Sequence, residues 1–268
     1  MNYIKKLAVL LTLLVPSFAF SQGFSNPGDA TKDTENYTSQ ELLSFSKKVE
    51  KKIASEGAIV AIVSRVGRPP SELPEGVTYT HVAFWVYSDI KTKDGKDLKG
   101  YQVYNLYQKN DKPNVSDLVN DFPVDFFAGT YELKSGIIIP KKSLQMKLFN
   151  VINSKTYSEL HNKNYSVVAK VDSSQYQNCT SFVLKVLFSA LYDTNSIPQI
   201  NANINKYFTP QVIKIGPLKK LLGGMFVSDF YPNEHDGEIK TATFNTIKNF
   251  MQKYNLTTHV YTVTGESQ

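Results

Sequence analysis

Gln177-Asn178-Cys179-Thr180-Ser181-Phe182-Val183 is the stretch on which the reading of this chain turns. Before it, Ser173, Ser174 and Gln175 continue a polar run with no apolar periodicity. From Cys179, apolar residues fall at 179, 182, 183, 186, 187, 190 and 191, the one-sided stripe of a helix packed on a core. Asn178 is placed to cap that helix. Cys179, the only cysteine of the chain, then occupies the first turn. There the helix dipole and free backbone N–H groups favour an anion, so a lowered thiol pKa and a nucleophilic role are expected. The same N–H groups suit an oxyanion formed on a carbonyl under attack. The alternative is a small core residue, since free cysteine is among the most buried types.

A thiol nucleophile needs a base, and His81 is the candidate among His81, His161, His235 and His259. It lies in Val77-Thr78-Tyr79-Thr80-His81-Val82-Ala83-Phe84-Trp85-Val86-Tyr87, a β-branched and aromatic run that predicts a strand apolar on both faces. Gly100 to Tyr107 predicts an antiparallel partner strand. Asn105 then lies beside His81 and orients its ring, as the third member of a triad does. Gln177, Tyr176 and Tyr79 are expected to line the oxyanion and substrate positions, with Trp85 among the groove aromatics.

These segments carry a resemblance. A strand-borne histidine, a second strand with a polar residue, then Asn178-Cys179 opening a helix with Phe182-Val183, resembles the circularly permuted papain-like (NlpC-type) thiol hydrolases. That group includes the lecithin retinol acyltransferase-like proteins. More specifically, the chain is similar to an exported bacterial family known as domain of unknown function 2145. The similar segments include Ser64-Arg65-Val66-Gly67-Arg68, Tyr79-Thr80-His81, Asp125-Phe126-Phe127, Leu160-His161 and Tyr176-Gln177-Asn178. The resemblance implies a permuted papain-like α+β fold, with a mostly antiparallel sheet packed on helices. It also implies attack by Cys179 on a peptide, amide or lipid ester carbonyl. A non-catalytic binding module on the same fold is the alternative.

Met1 to Ser21 has the plan of a secretory signal: Lys5 and Lys6, the apolar run Leu7 to Pro16, then Ala19-Phe20-Ser21. The run is too short to span a bilayer, so cleavage near Ser21 and a periplasmic or secreted protein are expected. Residues 22–37 predict a flexible lead-in and 38–268 a single domain. Loss of Lys5 and Lys6 takes the net charge from +6 to +4. The basic residues are scattered lysines, with only Arg65 and Arg68 as arginines, which argues against nucleic acid. No phosphate-cradling glycine loop appears, and no cofactor is expected. Asp229 to Asp236 gathers one histidine among carboxylates without paired metal-ligand spacing, so no metal site is assigned.

Elsewhere, helices are expected over Thr38 to Ser55, Lys142 to Asn153 and Thr243 to Tyr254. Strands are expected at Ala58 to Val63, Gly136 to Ile139, Tyr165 to Val171 and His259 to Val263. Asp117 to Gly129 suggests a helix or capping segment, Asn195 to Asn205 a polar connector, and Lys214 to Gly224 a further segment. His161 is expected to meet the carbonyls of a helix end.

Overall fold

The computed structural model describes residues 33–91, 95–214 and 231–265. Residues 1–32, which hold the expected signal segment and most of the lead-in, lie outside the described residues, as does most of Lys214 to Gly224.

Helix α1 (Ser39–Ser55) starts at a full capping box between Thr38 and Glu41, so its first N–H groups are satisfied by side chains. Strands β1 (Val60–Arg65), β2 (His81–Lys91), β3 (Asp97–Gln108), β4 (Ser116–Asp121) and β5 (Lys134–Pro140) follow, with the short helix α2 (Pro123–Ala128) between β4 and β5. Helices α3 (Lys142–Ile152), α4 (Lys155–Glu159), α5 (Cys179–Tyr192) and α6 (Ile197–Tyr207) come next. Then come β6 (Gln211–Ile213), β7 (Ile239–Thr241), α7 (Phe244–Lys253) and β8 (Thr257–Thr264). Six strands form one sheet in the order β4-β3-β2-β1-β5-β8, every pair antiparallel; β6 and β7 make a separate pair. The molecule is a mixed α+β structure with helices on a six-stranded antiparallel sheet.

Strand alternation separates two apolar layers. Val82, Phe84 and Val86 of β2 face Phe182, Val183 and Val186 of α5, with α3, α6 and α7 completing that layer. Ala83 and Trp85 face the other way, onto Phe45 and Val49 of α1 and Phe126 and Phe127 of α2. The apolar character of both faces of the His81 run has this double cover as its cause. Helix α5 is buried almost all round, from Cys179 to Ala190.

Three expectations change. Asp117 to Gly129 holds β4 before α2, because Ser116 to Asp121 pairs with the far edge of β3. Tyr165 to Val171 is not a strand; among the described residues it makes only single bridges, Tyr165 to Gln177 and Lys170 to Thr241, and packs as a buried loop. The Asn-rich connector is helix α6, because Ile200 and Ile204 share one fully buried face and Pro198 sits in the first turn, where no N–H is needed.

One contact fixes how closely α7 approaches β5. A Cβ on Gly136 would lie 2.5 Å from the Phe244 ring and 2.8 Å from Ser64 Oγ. Gly136→Ala should therefore cost about 1–3 kcal/mol through overpacking. Unfolding by denaturant checks this, and an unchanged midpoint would mean that the ring yields freely.

Candidate active site

The loop 165–178 delivers Cys179 to the end of the sheet, and its own hydrogen bonds explain why it needs no strand. Gln177 is fully buried; its Oε1 accepts from Asn162 N at 2.8 Å and its Nε2 donates to Leu160 O at 3.1 Å. Lys185 reaches back from α5 and donates to Ser173 O at 2.6 Å; burial pulls its pKa down to about 8. Asn178 then caps α5, its Oδ1 accepting from Ser181 N at 2.8 Å, as expected from the sequence.

Cys179 is buried, and its sulfur meets the start of β2. The β2–β3 ladder closes at Phe84 and Tyr104, so the first residues of β2 are not laddered to β3. Into this opening comes Sγ, 3.9 Å from Thr80 O. Backbone N–H groups of Val82, Thr180 and Cys179 itself are directed at it. These hydrogen bonds and the charge of Arg65 lower the thiol pKa, but burial is the larger effect and pushes it up to about 11. The lowered pKa expected from the helix terminus is thus reversed, because desolvation of a thiolate outweighs the dipole.

In the chain His81 lies between Thr80 and Val82, whose backbone groups meet the sulfur, but its ring makes no hydrogen bond to Cys179 Sγ, so the expected direct thiol–imidazole contact is not made. Its Nε2 is 2.9 Å from Asn105 Oδ1, so the expected His81–Asn105 pairing is present in the geometry. Asn105 is oriented in turn by Asp121, whose Oδ1 accepts from Asn105 Nδ2 at 2.7 Å, while Tyr107 OH donates to Oδ2 at 2.9 Å. With Nδ2 given to Asp121, Asn105 presents its oxygen to His81. The Nε2 of His81 therefore carries the proton and Nδ1 the lone pair. Nδ1 is buried and has no hydrogen-bond partner among the described residues.

The ring stacks on Tyr107 at 4.9 Å and tilts against Phe126 at 5.4 Å. Arg65, opposite His81 in the β1–β2 register, is buried and donates from Nη1 to Phe126 O. Its guanidinium packs under Gly129, where a Cβ would lie 2.7 Å from it. Burial first, and then repulsion by Arg65, hold the His81 pKa well below its usual value, so the imidazole is neutral. Asp121 was not foreseen as part of this network. Burial raises its carboxyl to about 7 against the opposing effects of Tyr107, Arg65 and Asn105.

A cavity of about 80 Å³ opens over the sulfur, bounded by Cys179, Tyr79, Thr80, Tyr165 and Thr241 among others. Of the three residues expected at the oxyanion and substrate positions, Tyr79 borders this cavity. Gln177 and Tyr176 do not border this cavity: the first is spent on the loop, and the second stacks on Tyr231 at 4.7 Å. Trp85 is enclosed between Phe126 and Phe127 in the opposite layer. His161 pairs with Ser116 Oγ at 3.0 Å rather than with helix-end carbonyls. His235 Nε2 meets Val168 O at 2.8 Å.

Fold and site together define an antiparallel α+β protein with a cysteine at a helix start, set against a strand that bears a histidine. The chain belongs to the bacterial family DUF2145, described as uncharacterized protein conserved in bacteria, which matches residues 52–251. No curated protein and no solved structure matches it. No helix among the described residues is long and apolar enough to cross a membrane.

Proposed function

We propose that this chain is an exported cysteine hydrolase or acyltransferase, built on a permuted papain-like plan, that attacks an amide or ester carbonyl. One observation carries the reading. A buried imidazole nitrogen with a lone pair and no partner sits on the residue between Thr80 and Val82, which hold the Cys179 sulfur. Leaving a buried acceptor unpaired costs about 1–3 kcal/mol, a cost that catalytic use explains.

In this reading the resting pair is neutral. As Cys179 Sγ bonds to the carbonyl carbon, its proton passes to His81 Nδ1 and the carbonyl electrons move onto oxygen, a transfer for which sulfur and ring must close up, since they share no hydrogen bond at rest. The N–H groups of Val82, Thr180 and Cys179 serve that oxyanion in place of Gln177. The C–N or C–O bond then breaks, and His81 returns the proton to the leaving amine or alcohol. Water completes hydrolysis of the thioester, or a second nucleophile completes acyl transfer. Asn105, backed by Asp121, keeps the proton on Nε2 throughout.

Cys179→Ser and His81→Ala should each lower turnover of an activated ester by about 10²–10⁴-fold with the circular dichroism spectrum unchanged. Turnover that survives both substitutions would overturn the reading. A second reading, a non-catalytic binding module, is favoured by the thiol pKa of about 11. It predicts that Cys179→Ser leaves the biological phenotype intact.

A further inference from the structure

We infer that the acyl side of the substrate is an uncharged, apolar group of about six heavy atoms, and not a charged cell-wall peptide. The inference rests on the reading of Cys179 as the attacking group, since it assigns what lies next to the sulfur. Its ground is the chemistry of the cavity wall. Most of it is apolar, with Val77, Tyr79, Tyr165, Val168, Ile213 and Ala242 among the contributors, and none of the described residues bordering the cavity is charged.

The threonine hydroxyls there each make at least one hydrogen bond within the protein. Thr80 Oγ1 accepts from Gly67 N, Thr180 Oγ1 donates to Ala242 O, and Thr241 Oγ1 donates to Ala169 O. Thr243 Oγ1 caps α7, and Asn178 is spent on Ser181 and Val167. A carboxylate or ammonium entering this space would lose its hydration and find no countercharge on these walls, which is strongly unfavourable. An alkyl group loses nothing there and gains by leaving water.

Size sets the length. Each water-sized group needs about 10–15 Å³ of such space, so a cavity of about 80 Å³ holds about six.

Two measurements test this. Wild-type protein is given p-nitrophenyl acetate, butyrate, hexanoate and dodecanoate, and the half-ester of adipate, which matches hexanoate in length but ends in a carboxylate. We expect kcat/KM to rise by up to about fourfold per methylene as far as hexanoate, to fall at dodecanoate, and to be at least about 100-fold lower for the adipate half-ester. In parallel, Cys179→Ala is titrated with hexanamide and with adipamate. Its melting temperature should rise only with hexanamide, since only a ligand of the folded state stabilises it.

Stabilisation by hexanamide in a protein whose wild type turns over no ester would remove the hydrolase reading and with it the assignment of an acyl group, leaving only a cavity selective for uncharged, apolar ligands. Equal turnover of the hexanoate and adipate esters would keep the hydrolase and overturn the inference. So would the absence of any shift with hexanamide.

Discussion

Iodoacetamide should label Cys179 about 10⁴-fold more slowly near pH 7 than its full thiolate allows, with the rate rising about tenfold per pH unit toward pH 11. The cause is the burial that pushes the thiol up to about 11. Below that pKa the reactive fraction falls tenfold with each unit, and the neutral His81 supplies no countercharge to hold a thiolate. The measurement is a labelling rate followed by mass spectrometry on folded protein across the pH range. A plateau below about pH 8 would reveal a preformed thiolate–imidazolium pair and remove the neutral resting state. The general-base route proposed for catalysis requires the sloping profile, because His81 then takes the proton only as the sulfur attacks.

The second large effect concerns Asp121 and global stability. Its folded pKa of about 7 lies above the ordinary value of 3.8, so the folded state holds this proton more tightly than the unfolded chain does. The stabilisation is fully present below about pH 4 and is lost as pH rises through about 7, at about 1.4 kcal/mol per unit and about 4 kcal/mol in all. Asp121→Asn removes the titration while keeping an oxygen for Asn105 Nδ2. Denaturant unfolding at several pH values should show the wild type losing stability from about pH 4 to 7, and the variant losing about 4 kcal/mol less over that span. Parallel curves for the two proteins would place the ionised carboxylate in the fold at low pH and refute the shift. The same comparison reads the coupling of Asp121 to the site, since this carboxyl orients Asn105 toward His81.

Much of the scaffold was legible along the chain, where the causes are local. The helix from Ser39 and the helix from Phe244 follow from a side-chain cap and a 3.6-residue apolar stripe. Asn178 and the stripe after it located α5 and put Cys179 in its first turn. The strand His81–Lys91 and its antiparallel partner followed from β-branched and aromatic runs. Reading failed where a local signal competed with long-range pairing. Ser116 to Asp121 has a weak strand pattern and becomes β4 because β3 offers an open edge. Asn201, Asn203 and Asn205 masked the isoleucine spacing of α6, whose stability comes from packing rather than propensity. Tyr165 to Val171 has the composition of a strand, yet its buried side chains serve a loop held by Gln177 and Lys185.

For the site, sequence by itself determined which groups were available: a single thiol at a helix start, a histidine on a buried strand, and an asparagine on the next. Residue order and periodicity suffice for that, because helix starts and strand runs are written in short windows. Tertiary structure decided their state. Whether the thiol ionises depends on how much water the assembled core leaves it, and burial at the mouth of β2 outweighs the helix dipole. Which ring nitrogen of His81 is free depends on Asn105, and the orientation of Asn105 depends on Asp121, sixteen residues further along the chain. Arg65 faces His81 only through the register of β1 on β2. Electrostatic environment is a sum over neighbours in space, and no window of sequence contains those neighbours.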